Sequence, residues 1–166
     1  MWRVKKSKIH GHGIIAIKNI KKGTRVIEYI GEKVTKAEGN KRSEKRIKKY
    51  LKSSRTGSVY IFELNSKYDI DGSPSYNKAK YINHSCDPNC EVDIVNGEIW
   101  ISSIKNIKKG HELSYDYGYE FDKDDFKDHE CKCGSKNCIG YIISSDEWYK
   151  YLKYIKKLVK NNKKLK

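Results

Sequence analysis

The stretch Tyr81-Ile82-Asn83-His84-Ser85-Cys86-Asp87-Pro88-Asn89-Cys90 decides how this chain is read. It brings an amide, an imidazole, a hydroxyl and two thiols close together in sequence. Pro88 fixes φ and lacks an amide proton, which bars a regular helix or central strand through it. The stretch therefore reads as a loop, and loops carry function more often than packing. Asn, Ser, Asp and Pro are also ordinary turn residues, and cysteine can serve as a small core residue. The rest of the chain has to choose between these readings.

At 166 residues the length fits one domain with a tail. The hydrophobic fraction is 37%, but 13 Tyr and 3 Trp supply enough aromatic surface for one modest core. The net charge of +15 makes contact with nucleic acid or another acidic surface a standing expectation. Only five of the 36 basic residues are Arg, the better reader of grooves, and Lys, Ile and Asn richness also follows from an A+T-rich genome. The five cysteines are an odd number, confined to the segment from Cys86 to Cys138. A secreted disulfide framework normally uses an even set. No secretory apolar segment follows Met1-Trp2-Arg3-Val4-Lys5-Lys6, and no apolar run reaches membrane-spanning length. These features predict an intracellular protein in a reducing compartment, nuclear or cytoplasmic, with thiols used for metal and no membrane contact. A bacterial or viral source would place it in a host nucleus.

Taken in order, residues Trp2 to Ile9 predict a first strand, and His10-Gly11-His12-Gly13 leads into a second apolar run, Ile14 to Ile17. Gly-x-Gly lets backbone pass close to a ligand, although most such pairs are simple turns. The heptapeptide Ile17-Lys18-Asn19-Ile20-Lys21-Lys22-Gly23 recurs as Ile104-Lys105-Asn106-Ile107-Lys108-Lys109-Gly110. Each copy is followed by a β-rich run, Thr24 to Gly31 and His111 to Gly118, so two similar turn-strand units are expected. Lys36 to Lys52 predicts a mostly exposed helix with Ile47, Tyr50 and Leu51 on one face, and Ser53 to Gly57 a flexible exit. Ser58 to Leu64 alternates like a strand, and Tyr68 to Pro74 reads as a strand end and turn. Glu91 to Ile94 and Glu98 to Ile104 predict a hairpin across Asn96-Gly97. An acidic run from Glu120 to Glu130 precedes Cys131-Lys132-Cys133-Gly134-Ser135-Lys136-Asn137-Cys138. The end predicts a helix with a Ser144/Glu147 capping box and an apolar stripe of Trp148, Leu152, Ile155 and Val159, fraying from Asn161 to Lys166.

Cys-x-Cys-x4-Cys supplies three thiolates, and a structural zinc wants four ligands in tetrahedral geometry. The fourth has to come from elsewhere. His129 is adjacent in sequence, whereas Cys86 and Cys90 are distant but chemically better suited.

At this point a resemblance enters. Asn83-His84-Ser85-Cys86, with Gly11-x-Gly13 upstream and Glu112-Leu113-Ser114-Tyr115-Asp116-Tyr117 downstream, resembles the SET-domain protein lysine methyltransferases. The terminal Cys-x-Cys-x4-Cys is similar to that family's post-SET segment. The match runs from about Lys8 to Ile142. It implies a mainly β fold of small sheets with short helices and a thread-through-loop pseudoknot, plus a C-terminal helix. The implied boundaries are 1–118 for the SET domain, 119–143 for the zinc-binding post-SET segment and 144–166 for a basic amphipathic helix.

The resemblance also implies roles. S-adenosylmethionine is the expected cofactor, contacted by Gly11, His12, Gly13, Tyr60, Asn83, His84 and Tyr117, with Tyr141 or Ile142 packing on the adenine. Tyr117 matches the family's catalytic tyrosine, and Tyr60 lines the cofactor and lysine channel. Tyr115 stands at a position where Tyr goes with mono- or dimethylation and Phe with more, so mainly monomethylation is expected. One structural Zn²⁺ is implied on Cys86, Cys131, Cys133 and Cys138, which leaves Cys90 a free thiol. His12, Lys80-Tyr81 and His111 depart from the family's usual residues without removing a catalytic group. The expected substrate is a histone tail or similar basic protein, received by the acidic run, with the Lys-rich C-terminal helix touching nucleic acid or a nucleosome. The alternatives are a non-histone target such as a ribosomal protein, or a SET scaffold kept as an interaction module without useful catalysis.

Overall fold

A computed structural model describes residues 1–53 and 59–163. Residues 54–57 of the expected flexible exit 53–57, and 164–166 of the expected fraying end 161–166, lie outside the described residues. Four small sheets are present among those described. β1 (Trp2–Lys6) and β2 (His12–Ala16) form an antiparallel pair. β3 (Arg25–Glu28), β9 (Glu98–Ser103) and β8 (Cys90–Val95) form a second sheet with β9 central. β4 (Glu32–Thr35) and β5 (Ile61–Glu63) flank β6 (Tyr68–Asp71). β7 (Asn83–His84) and β10 (Ser114–Tyr115) pair in parallel.

The β8–β9 hairpin turns where the sequence predicts. Asn96 at φ 54° and Gly97 at φ 82° take the two left-handed positions that a tight hairpin turn requires. β9 alternates as a strand with one buried face should, with Ile99 and Ile101 fully buried. With Ile14, Ile82 and Leu113 they form the centre of the core. β4 was not separated from the preceding run by sequence reasoning, because Gly31 interrupts two short stretches of the same composition.

The repeated heptapeptide is a structural pair. Ile20 and Ile107 exchange both main-chain hydrogen bonds, each 2.8 Å. The Asn106 side chain accepts from the Lys22 amide, and Asn19 accepts from the Lys109 amide, both at 2.9 Å. The Gly23 amide donates to Ser103 and the Gly110 amide to Ala16, the equivalent residue one repeat away. The two units thus pack as a local pseudo-twofold that fixes β2 and the approach to β10.

α1 (Lys36–Ser53) falls where expected and is mostly exposed among the described residues. Ile47 is 47% exposed, and the side chains of Tyr50 and Leu51 lie outside what the structure describes. Ion pairs tie it to β6. Lys36 pairs with Asp69 at 2.7 Å, while Arg42 and Arg46 reach Asp71 at 2.9 and 2.8 Å. Both carboxylates are buried on β6, and the two guanidiniums hold Asp71 well below the usual carboxylate range despite burial.

α2 (Trp148–Lys163) also exists, with only half of the predicted stripe packed. Leu152 and Val159 are about half exposed. Tyr151 and Tyr154 pack instead on Phe121 and Phe126, with ring centroids 5.6 to 6.1 Å apart. Aromatic rings outcompete Leu152 and Val159 because each brings more area and an edge-to-face geometry. The Ser144/Glu147 capping box does not form. A 3₁₀ turn at Ser145–Glu147 precedes the helix, and the Glu147 carboxylate pairs with Lys150. None of the described helices is long and apolar enough to cross a membrane.

Candidate active site

The opening stretch is not wholly a loop. Asn83 and His84 form β7, whose partners in register are Ser114 and Tyr115. Pro88 lies beyond the strand, in a turn that clamps the two segments. Asn89 carries the clamp: its side chain donates to the Glu112 carbonyl at 2.8 Å and accepts from the Ser114 amide at 3.0 Å. The downstream motif is thereby laid against the upstream one.

Asn83 faces the glycine loop. Its Nδ2 lies 3.2 and 3.0 Å from the His10 and His12 carbonyls and 2.8 Å from Glu112 Oε1. The same Glu112 oxygen accepts from Ser7 Oγ at 2.7 Å. Gly13 explains the arrangement. A Cβ there would stand 2.3 Å from Glu112 Oε1, so only glycine lets the carboxylate reach Ser7 and Asn83. His12 stacks at a tilt against Tyr81, 5.7 Å between centroids.

From β10 a row of rings crosses the interior. Tyr29 meets Phe62 at 5.1 Å, Phe62 meets Tyr115 at 6.3 Å, and Tyr115 meets Tyr117 at 5.1 Å. Tyr117 continues to Tyr119 at 5.9 Å, and Tyr119 to His129 at 5.2 Å. The Tyr117 hydroxyl donates to the Ile82 carbonyl at 3.0 Å, and the Tyr29 hydroxyl to the Tyr60 carbonyl at 3.0 Å. Burial raises the phenols of Tyr29, Tyr115 and Tyr117 well above their ordinary value, so all three are neutral donors at physiological pH. Tyr60 meets this row through its carbonyl, which accepts from Tyr29.

His84 ties this row to the cysteines. Its Nδ1 accepts from the Tyr117 amide at 3.2 Å, and its Nε2 lies 3.6 Å from Cys86 Sγ. Burial lowers its pKa, and Asp116 offsets this only in part. A neutral ring with its proton on Nε2 satisfies both contacts.

The sulfurs of Cys86, Cys131, Cys133 and Cys138 all lie within 4.8 Å of one another. Cys86 Sγ is 3.8 Å from Cys131 Sγ and 3.9 Å from Cys138 Sγ. Four thiolates around one ion with metal–sulfur bonds of about 2.3 Å have edges of about 3.8 Å. The cluster can therefore hold a metal ion. Burial pushes the Cys86 thiol up to about 12. Cys133 is also raised by burial, but Ser135 and nearby amides outweigh this and bring it down to about 6. Crowded, buried thiols ionise together only around a cation. Cys90 stands apart, fully buried, with its thiol toward Asn89 Oδ1 at 3.4 Å.

The segment between the last ligands and α2 folds back on itself. Cys131 donates to the Gly140 carbonyl at 2.9 Å and Ile142 to the His129 carbonyl at 2.7 Å. Tyr141 packs edge-on to Phe126 at 4.8 Å and to Tyr151 at 5.9 Å. The residues expected to form one site fall into neighbouring groups. Gly11, His12 and Gly13 join Asn83; His84 joins Tyr117; Tyr115 and Tyr60 join Tyr29; and Tyr141 and Ile142 follow the cysteines.

Tyr29 and Glu112 were not singled out as site residues by sequence reasoning. Glu112 lay inside a quoted motif, and its partner Gly13 was the available signal. Tyr29 had none, being one of 13 tyrosines in an ordinary β-rich run.

A family model for the SET domain matches residues 11–118. Over 137 residues the chain is 39% identical to the human protein named Histone-lysine N-methyltransferase 2D, covering 80% of this chain and 2% of that protein. Over 141 residues it is 36% identical to the Saccharomyces cerevisiae protein named Histone-lysine N-methyltransferase, H3 lysine-4 specific, covering 82% of this chain and 13% of that protein. The Drosophila melanogaster protein named Histone-lysine N-methyltransferase trr is 39% identical over 145 residues, 82% of this chain and 6% of that protein. The chain spans a small fraction of the length of these relatives.

Proposed function

Because the chain belongs to the SET-domain family, we propose that it is an S-adenosylmethionine-dependent protein-lysine N-methyltransferase that acts on a histone tail, with histone H3 the first substrate to test. The observation that carries this reading is the pairing of β7 with β10, which sets Asn83 and His84 beside Tyr115 and Tyr117. S-adenosylmethionine supplies an electrophilic methyl group when bound. The glycine loop 11–13, with its backbone drawn in by Asn83, is the reading for the methionine end. Tyr141 is engaged with Phe126 and Tyr151, which favours Ile142 as the contact for the adenine.

The chemistry asked of the chain is alignment and a neutral amine. A free lysine has a pKa of about 10.4 and is almost all charged at neutral pH. The ring row Tyr29, Phe62, Tyr115 and Tyr117 offers a desolvated wall that favours the neutral amine, which loses its proton to solvent before entry. Tyr117, held through its amide by His84, orients the nitrogen lone pair. A Tyr115 hydroxyl can hold a water where an added methyl would need to sit, and mainly monomethylation is the proposal on that ground.

Zinc is the proposed metal, since four thiolates at this spacing suit it best. The acidic run is the proposed entry for a basic peptide: Asp124 and Asp125 are exposed and Phe126 anchors it. Changing Asp124 and Asp125 to Lys should raise peptide KM, and an unchanged KM would mark the run as a solvated face. α2, with Lys153, Lys156, Lys157 and Lys160 along an exposed side, is the proposed nucleic-acid contact, in keeping with a nuclear location. The test of the whole reading is tritiated methyl transfer to core histones, nucleosomes and a cell lysate, followed by site mapping. Label on a histone lysine is expected. Label only on other proteins would move the substrate, and cofactor binding without any label would favour an inert SET scaffold.

A further inference from the structure

A second charged feature lies apart from the catalytic tyrosines. The β1–β2 pair and the segment from Lys109 to Glu112 enclose an open groove of about 770 Å³. Arg3 stands opposite Ile15 and Lys5 opposite Gly13, so both cations rise from the groove side of the pair. Lys6 and Lys8 continue the same wall, and Lys109 and His111 stand across from them. Ile15 and Ile17 give the floor an apolar character.

We propose that this groove binds the phosphodiester backbone of a nucleic acid. Three features carry the assignment. The first is uncompensated charge. Residues 1–27 carry no side-chain carboxylate. Among the described residues, none of Arg3, Lys5, Lys6, Lys8 and Lys109 has a carboxylate within ion-pair distance. The one acidic lining residue, Glu112, is turned to Ser7 and Asn83 and shares its charge with those donors. Cations left unpaired along a groove attract polyanions and repel the basic peptide proposed for the catalytic site.

The second feature is shape. Arg3 and Lys5, on one face of an extended strand, stand about 7 Å apart. That matches about two phosphate steps on one nucleic-acid strand, each about 3.4 Å along the axis. The groove is far larger than a single phosphate needs. The third feature is rigidity. The far wall is fastened to β2: Ala16 donates to His111 at 2.9 Å, Gly110 to Ala16 at 2.8 Å and Leu113 to Ile14 at 2.8 Å. The cations therefore stand on fixed backbone on both sides, unlike the single line of lysines on α2. The preponderance of Lys over Arg suits backbone contact without base reading.

The test is fluorescence anisotropy of the full chain with a labelled 20-base-pair duplex, repeated across salt concentrations. It needs no methyl transfer, so it answers whether or not the enzyme reading holds. Lys5→Gln with Lys109→Gln should flatten the slope of log affinity against log salt by about two, one for each phosphate no longer neutralised. Lys5→Arg with Lys109→Arg should restore it. Circular dichroism and thermal melting should match the wild type, since all these side chains are exposed. A wild-type slope in the Gln pair overturns the proposal. So does a loss of binding confined to Lys153→Gln with Lys157→Gln on α2. Displacement of the duplex by poly-glutamate at equal charge concentration would assign the groove to an acidic protein instead and would also overturn it.

Discussion

Gly13→Ala perturbs the site at a position where the backbone itself is content. Gly13 sits in β2 opposite Lys5, in ordinary strand pairing, so alanine there brings no left-handed strain. Taken alone, the exchange favours the strand by about 0.5–1 kcal/mol. The new Cβ, however, lands 2.3 Å from Glu112 Oε1 and 2.7 Å from its Cδ. The carboxylate has to swing away and gives up Ser7 Oγ at 2.7 Å and Asn83 Nδ2 at 2.8 Å. Hydrogen bonds to a charged group contribute about 1.5–3 kcal/mol each. Glu112 is half-buried and can regain some hydration, so the low end applies, about 3 kcal/mol for the two. The net loss is about 2 kcal/mol after the backbone gain. Asn83 keeps the His10 and His12 carbonyls, so the loop loosens without unfolding. Expressed in cofactor affinity, about 2 kcal/mol is roughly 30-fold. Isothermal titration with S-adenosylmethionine and urea unfolding measure the two shares. Glu112→Ala removes the obstruction, so Gly13→Ala made in that background should cost under about 0.5 kcal/mol. Wild-type affinity and stability in Gly13→Ala, or an equal cost with and without Glu112, would refute this reasoning.

Three further outcomes are expected. Cys131→Ser should lower bound zinc, measured by plasma mass spectrometry, from one ion per chain toward none and weaken cofactor affinity, whereas Cys90→Ser should leave metal content unchanged because its thiol faces Asn89. Tyr115→Phe should raise the methylation state of the product read by mass spectrometry, and abundant trimethyl-lysine from the wild type would contradict the role given to its hydroxyl. Asp71→Asn should cost about 3 kcal/mol in urea unfolding at pH 7, at the low end for a broken buried pair because Arg42 and Arg46 are each about a quarter exposed. Its folded pKa is depressed, so that contribution is full above the ordinary carboxylate range near pH 4 and shrinks as pH falls below it. A difference between wild type and Asp71→Asn that stays constant from pH 7 to pH 3 would rule out the ion pair as its source.

Residues whose meaning is local were legible in the sequence, and residues whose meaning depends on pairing were not. Asn96-Gly97 specified its turn unaided, because only a left-handed pair closes so short a hairpin. Cys131, Cys133 and Cys138 were legible as candidate ligands because thiol spacing carries chemistry, whereas Cys86 was implied only by the family resemblance and is brought beside them by the fold. The heptapeptide repeat was visible, but not that its two copies bond to each other, since the sequence says nothing of mutual contact. The ion pairs of α1 were not legible, because its buried partners, Asp69 and Asp71, lie on a strand that follows it in sequence. On α2 half of the predicted stripe is packed: Trp148 and Ile155 are half-buried, but Leu152 and Val159 are exposed and Tyr151 and Tyr154 meet Phe121 and Phe126 in their place. The resemblance implies a cofactor contact for His84, and only the fold places it between Cys86 and the Tyr117 amide.

The proposed function rests on Tyr117 acting as the catalytic tyrosine beside the β7–β10 pairing. The measurement that tests it most directly is mass spectrometry of an amino-terminal histone H3 peptide after incubation with S-adenosylmethionine and the zinc-loaded chain, wild type beside Tyr117→Phe. The account predicts one added methyl on one lysine with the wild type and a rate at least about 100-fold lower with the variant, the scale of losing a positioned group at the reacting centre. Equal rates from the two proteins, or no methylated lysine on any histone from a folded, cofactor-binding wild type, would contradict it.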